Sequence, residues 1–431
     1  MEIIFVVNLA PFVLMIRKFF AKFRPRSSAD GLILVLDIGT EFVKALIYRI
    51  EEGHGFVIGY SKIRQKLGDM SAGAIANIAG VSSRCTEAIR LASRMAGQQP
   101  EQVVIGIAGE LVRGATTVIS YSRENPTARI DLPELRAIVQ RVQARAFDRV
   151  RRELARDIGH REIDIKLVNA VITDSQIDGQ HATNPLGFQG SEVTLSVFNS
   201  FAPLVHFGAI QTIAAELELD LLTIATEPFA VSRVFANEDS SAIFIDVGGG
   251  TTDLVLVRGG AELTMRMFAV GGRTFTKRLA QDLNVSFIEA ERLKLEYSQN
   301  KLPSRKTNII KKAFSGDVEV WLTGVQLALA EISKNEKLPS KIFLCGGGGK
   351  LPELKIALES SEWTHVLPFH RQPIVKFLVP DDFTNFTDET GMLRTIQDVT
   401  PLALANLGIE FAGEEKLLSS ILRKAVKIIQ S

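Results

Sequence analysis

Ala242-Ile-Phe-Ile-Asp-Val-Gly-Gly-Gly-Thr-Thr-Asp253 is an apolar run that stops on an aspartate, three glycines and two threonines. Its β-branched and aromatic residues predict a strand, and Leu254–Arg258 predicts the return strand of a hairpin. The same form stands near the other end of the chain. Leu32-Ile-Leu-Val-Leu-Asp-Ile-Gly-Thr40 is followed by a return strand over Phe42–Ile50. Two copies of strand, Asp, Gly, Thr and strand predict two related halves facing each other across a cleft. A third strand, from Lys341, ends in Gly346-Gly-Gly-Gly349 ahead of Lys350-Leu-Pro-Glu353, where a helix is expected to start.

Glycine lets backbone N–H groups approach an anion without a Cβ in the way. Successive N–H groups in a turn form an anion-binding concavity. The turns after Asp37 and Asp246 therefore suit phosphate, and the third turn suits a flat nucleoside. Asp37 and Asp246, at their strand ends, are placed to hold a hydrated Mg²⁺, which keeps several waters and takes few protein ligands. One Asp-x-Gly turn alone is an ordinary hairpin; three such turns in this order are not.

The set resembles the actin superfamily, and within it the cell-division family FtsA. The likeness spans roughly residues 32–400. It implies an α/β, actin-like two-lobed ATPase fold with duplicated ribonuclease-H-like halves and an inserted small α+β subdomain. It implies ATP and Mg²⁺ as cofactors. By the same carry-over, Gly39, Thr40, Lys44, Gly248, Gly249, Gly250, Thr251 and Thr252 meet the phosphates. Gly346, Gly347 and Gly348 lie near the adenosine, and Asp37 and Asp246 hold the magnesium through water. Gly271-Gly272 and the stretch Ser286–Lys294 also match. Glu291 and Lys294, three apart and so on one helix face, are expected at the ribose and base. Thr226-Glu227-Pro228 falls where the superfamily keeps an acidic residue, so Glu227, with Asp246, is the catalytic candidate for orienting water. An acid at a helix start is also favoured by the helix dipole alone.

Domains follow from texture. Residues 1–30 form an apolar and basic segment, and 31–108 the first part of the first half. Residues 109–204 differ: a long Arg- and Glu-rich helix over Leu132–Asp157, strands over Ile163–Ile172 and Glu192–Phe198, and a Gly/Asn/Pro-rich connection. This reads as an inserted α+β unit. Ile177-Asp-Gly179 and Asn184–Gly190 within it resemble FtsA. Residues 205–240 complete the first half, 241–400 make the second, with a small subdomain near 273–330, and 401–431 close the chain. Helices are expected over 71–96, 203–218 and 273–297, and strands at Val103–Ala108 and Leu221–Thr226.

The ends suggest a membrane surface. Leu417, Leu418, Ile421, Leu422, Ala425, Ile428 and Ile429 recur on one helical face, with Arg423, Lys424 and Lys427 among the other positions. Gly408–Gly413 reads as a short tether before them. The resemblance assigns such a terminal helix to membrane anchoring. This one has no Trp or Phe, and a last helix packed on the domain is the alternative. Ile3–Ile16 is apolar but shorter than the roughly 20 residues a spanning helix needs. Its positive charges follow the run, unlike those of a signal peptide. A short anchor over residues 1–24, an interfacial segment, and a translation start at Met15 all remain open for it.

A net charge of +1 over 431 residues gives no reason to expect nucleic acid. Two cysteines far apart, Cys85 and Cys345, read as buried small hydrophobes. Lys301–Lys312 is a basic segment that reads as a solvated loop. The resemblance makes Arg305 and Lys306 candidate contacts for the tail of the tubulin-like FtsZ. It implies a bacterial protein at the cytoplasmic membrane face that self-associates and tethers FtsZ filaments. Two rivals stand beside it: a PilM-like pilus-assembly scaffold binding a membrane-partner peptide, and a small-molecule kinase, for which no acceptor signature stands out.

Overall fold

A computed structural model of the chain describes residues 31–159, 163–235, 241–334 and 336–413. The N-terminal apolar segment and the terminal amphipathic helix expected above lie outside the described residues.

The chain opens with β1 (Ile33–Ile38), β2 (Phe42–Glu51) and β3 (His54–Arg64). A small hairpin, β4 (Met70–Ser71) and β5 (Ala74–Ile75), leads to α1 (Ile78–Ala96) and β6 (Gln102–Ile107). Then come β7 (Arg113–Ser122), α2 (Leu132–Asp157), β8 (Ile165–Ile177), β9 (Gln180–His181) and β10 (Glu192–Pro203). α3 (Leu204–Glu216), β11 (Asp220–Thr226) and α4 (Glu227–Ser232) follow. The second hairpin series is β12 (Ala242–Val247), β13 (Thr252–Arg258) and β14 (Glu262–Phe268). Three helices come next: α5 (Gly272–Leu283), α6 (Phe287–Ser298) and α7 (Ser304–Ser333). The described chain ends with β15 (Lys341–Cys345), α8 (Pro352–Glu359), β16 (Ile374–Phe377), β17 (Phe386–Asp388) and α9 (Val399–Gly413).

The internal echo is a structural duplication. One sheet runs β11-β6-β1-β2-β3-β17, and the other contains β16-β15-β12-β13-β14. In each, the hairpin series is antiparallel and the two strands beyond its first member are parallel to it. β1 is buried at all six positions. An apolar strand covered on both faces is what a central parallel position demands. Two cores form: one holds Leu34, Leu36, Leu46 and Phe229 of the first half and also takes in Phe244 and Val255 of the second, and the other holds Ile245, Leu254, Phe275 and Trp321.

Several expectations need correction. The helix expected from residue 71 starts at Ile78, where the Asn77 side chain accepts from the Gly80 amide at 3.2 Å. Ala72 and Gly73 take positive φ, 46° and 80°, and so turn the β4–β5 hairpin instead. Lys301–Lys312 is mostly the start of α7, with Arg305, Lys306, Lys311 and Lys312 exposed. Gly408–Gly413 is no tether but the last turns of α9. Gly408 is wedged so closely that a Cβ there would sit 2.1 Å from the Tyr48 hydroxyl of β2. Strands β3, β7 and β14 were absent from the sequence reading. The second half was expected to run to residue 400, yet β17 pairs with β3. The chain has already returned to the first sheet there.

The insertion is the largest surprise. Its strands extend the second sheet, in the order β14-β7-β10-β8-β9. Thr264 pairs with Ala115 and Met265 with Gly114. A Cβ on Gly114 would come within 2.8 Å of Met265 Cε, so the two strands pack closely here. Asp157 at the end of α2 accepts from Arg113 at 2.8 Å and from Arg266 of β14 at 3.1 Å. Arg266 also reaches Glu331 of α7 at 2.7 Å.

Candidate nucleotide site between the two halves

The ends of β1 and β12 bring charge into the interior. Asp37 is 2% exposed, and its Oδ2 accepts from Lys44 Nζ at 2.8 Å. The same ammonium donates to the Gln397 carbonyl at 2.7 Å. Asp246 Oδ2 accepts from the Thr400 hydroxyl at 2.7 Å. Asp253 lies directly across the hairpin from Asp246. Glu227, 8% exposed, opens α4 at the end of β11.

The electrostatics are one-sided. Burial by itself lowers the Lys44 ammonium, but the adjoining Asp37 carboxylate, with Asp246 and Asp398, outweighs it and holds it above its ordinary value. Glu227 is pushed well up by burial and then by Asp37, Asp253 and Asp246. Asp253 is pushed well up by burial and by Asp246, against a hydrogen bond from Thr251. Asp246 rises through burial, partly offset by Thr400 and Lys44. Four carboxylates thus share one buried ammonium. Asp253 Oδ1 is also buried with no hydrogen-bond partner, an arrangement that costs about 1–3 kcal/mol until something donates to it or binds it. Among the described residues no group of three or more His, Cys, Asp or Glu is arranged to hold a metal directly. Asp37, Asp246 and Asp253, with one buried carboxylate oxygen unpartnered, fit a divalent cation that keeps its waters.

The glycine turns close around these acids. The Gly39 amide donates to the Phe42 carbonyl at 3.0 Å, and the Gly248 amide to the Thr251 carbonyl at 2.9 Å. A Cβ on Gly250 would fall 2.7 Å from Thr40 Oγ1, and one on Gly249 would fall 2.7 Å from Glu41 Cγ. The first and second turns are thus in direct contact across the halves. A Cβ on Gly271 would sit 2.8 Å from the Gly248 carbonyl and the Thr251 amide, and one on Gly348 2.6 Å from Val247 Cγ1. Gly346, at φ 82°, touches Asp246: a Cβ there would lie 2.0 Å from its Oδ1. The exposed Gly347 lies beside Gln397.

Glu291 and Lys294 are buried at 5% and 7% exposure. Their ion pair is 2.8 Å long. Lys294 Nζ also donates to the Gly272 carbonyl at 2.9 Å and the Thr276 hydroxyl at 2.8 Å. Burial raises Glu291, but Lys294 more than compensates and holds its carboxyl below the usual range. A Cβ on Gly272 would come 3.3 Å from that ammonium and 3.8 Å from Gly348 Cα. The α5–α6 pair therefore abuts both the phosphate turns and the third glycine turn.

Asp37, Gly39, Thr40, Lys44, Glu227, Asp246, Gly248, Gly249, Gly250, Thr251, Gly271, Gly272, Glu291, Lys294, Gly346, Gly347 and Gly348 thus gather in one region. Thr252 is the exception. Its hydroxyl is fully buried, donating to the Val270 carbonyl at 2.6 Å and accepting from Trp321 Nε1 at 2.9 Å. It braces β13 against α7 instead of facing an anion. Sequence reasoning missed Asp253, whose place follows from hairpin register alone. It also missed Thr276, Gln397 and Arg273, whose partners are remote in the chain and left no local signal.

Residues 243–387 match the family described as "Cell division protein FtsA". The chain resembles FtsA. The FtsA of Neisseria meningitidis serogroup B is 27% identical over 271 residues, 62% of this chain and 61% of that protein, so less than two thirds of that relative is spanned. The FtsA of Pseudomonas aeruginosa is 24% identical over 344 residues, 74% of this chain and 78% of the relative. A chain in the solved structure titled "PilM-PilN type IV pilus biogenesis complex" superposes with a TM-score of 0.61. It is 18% identical and covers 88% of this chain and 98% of its own. At that identity the likeness concerns the fold, which is the actin-like two-lobed α/β architecture.

Proposed function

We propose that this chain is an FtsA-type cell-division protein. It binds ATP with Mg²⁺ between its halves, associates with copies of itself, and ties FtsZ filaments to the cytoplasmic face of the membrane. The supporting observation is the convergence of the glycine turns on buried acids that outnumber the one ammonium, Lys44, among them. Backbone amides of the Gly39 and Gly248–Gly250 turns meet phosphate once Thr40 and Gly250 part. The Gly346–Gly348 turn and the Glu291–Lys294 helix flank the nucleoside. Asp37, Asp246 and Asp253 would hold magnesium through its waters, and the ion would add positive charge beside Lys44. Glu227, its carboxyl pushed above its ordinary value by burial and the neighbouring acids, accepts a hydrogen bond from water and orients it. Asp246→Ala should abolish Mg-dependent binding of a fluorescent ATP analogue, and retained affinity would sink the reading.

The membrane and FtsZ parts rest on the FtsA likeness. No described helix is long and apolar enough to cross a membrane. Leu417, Ile421, Leu422, Ile428 and Ile429, with residues 1–24, form the proposed contact. Liposome flotation with residues 414–431 or 1–26 deleted tests which end carries it. Arg305 and Lys306, exposed on the first turn of α7, are the proposed FtsZ-tail contacts. The fold shared with the PilM chain supports a second reading, a scaffold that captures a peptide from a membrane partner. Pull-down with an FtsZ-tail peptide separates the two, and Arg305→Glu should weaken capture.

A further inference from the structure

Arg273, on the first turn of α5 in the second half, reaches into the first half. Its Nη2 donates to the Thr40 carbonyl at 2.7 Å, and its Nε pairs with the Glu41 carboxylate. Its own backbone amide donates to the Gly249 carbonyl at 2.8 Å. One residue therefore touches both phosphate turns. Both side chains of the Arg273–Glu41 pair are only 13% exposed. The other two cations at the turns are held within their own halves or by backbone. Lys44 is fixed by Asp37 and Gln397, and Lys294 by Glu291, Gly272 and Thr276. Arg273 alone of the three has its counter-ion on the opposite half. An anion entering between Thr40 and Gly250 must separate the turns that Arg273 joins, and so meets its guanidinium.

We propose that Arg273 is a phosphate-exchanged latch: it holds the halves together through Glu41 and Thr40, and transfers its guanidinium to the nucleotide's phosphates when they enter. A guanidinium donates to carboxylate, carbonyl and phosphate oxygens alike, so the exchange replaces one Glu41 oxygen and the Thr40 carbonyl with phosphate oxygens. Glu41 is then a competitor for the phosphate chain and takes no part in recognising the base. Arg64, 3.2 Å from Glu41, receives the released carboxylate. This rests on the nucleotide reading above and adds the residue that discriminates phosphorylated from unphosphorylated ligands.

The test is calorimetric titration of the full chain with Mg-ATP and, separately, with adenosine. Glu41→Gln should tighten ATP several-fold and leave adenosine unchanged. Arg273→Gln should weaken ATP by about tenfold or more, the loss of a charge-assisted bond, again with adenosine unchanged, and Arg273→Lys should recover part of that loss. Unchanged adenosine binding shows that a variant is folded. Wild-type-like ATP affinity in Glu41→Gln and Arg273→Gln would overturn the latch and leave the nucleotide reading standing. A wild type that binds neither ligand would overturn that reading and the exchange with it. Without nucleotide, Glu41→Gln and Arg273→Gln should be non-additive in thermal melting; strict additivity would overturn the hold between the halves.

Discussion

The two hairpins that repeat each other in sequence differ at the position facing their aspartates. In β1–β2, Asp37 stands opposite Lys44; in β12–β13, Asp246 stands opposite Asp253. One step nearer the turn, Ile38 faces Val43 in the first hairpin and Val247 faces Thr252 in the second. The first hairpin is therefore balanced within itself. The second sets like charges side by side, where cross-strand carboxylates are destabilising, and both carboxyls are held above their ordinary values. The repeated scaffold thus carries a self-contained charge pair in one half and a pair of like groups in the other.

Breaking the first hairpin should have the largest effect. Lys44→Met leaves Asp37 charged, buried and unpaired, and should cost about 3–5 kcal/mol in urea unfolding; a loss under about 1 kcal/mol would mean that the pair is not the balance described. Making the second hairpin resemble the first at its apolar step comes next. Thr252→Val strips both the Trp321 indole and the Val270 carbonyl of their partner, and should cost about 2 kcal/mol by the same measurement, with little change in nucleotide affinity. Relieving the like-charge pair should have the smallest effect, in the opposite direction. Asp253→Asn should stabilise the metal-free chain by about 1 kcal/mol while weakening its Mg²⁺ dependence.

The same contrast sets a pH dependence. Glu227 and Asp253 bind protons more tightly folded than at their ordinary values of 4.5 and 3.8. The native state then holds more protons than the unfolded one above those values, so stability falls as pH rises through that interval. The metal-free chain should melt higher in mildly acidic buffer than at neutrality, an increment that Mg²⁺ or Asp253→Asn should reduce. Melting that falls on acidification across that range would contradict the placement of these acids.

What was legible in the sequence is what short-range chemistry encodes. β1 and β12 announce themselves because strands buried on both faces are unbroken apolar runs ending in Asp and Gly. α2 is bounded as expected because Asp131 caps it, accepting from the Glu134 amide at 2.9 Å. β7 reads Arg-Gly-Ala-Thr-Thr-Val-Ile-Ser-Tyr-Ser and alternates buried with exposed positions in part only, so its apolar signal is weak. Its pairing with β14 and the reach of Arg273 are long-range facts set by register and packing. No window of sequence contains both partners.

The returning end of the chain has a consequence for the order of synthesis. β17 and α9 complete the sheet that began at β1, with Gly408 seated against Tyr48. The first half cannot complete its core until β17 and α9, far along the chain, have emerged from the ribosome. A chain cut before residue 386 should therefore lose its beginning, not its middle.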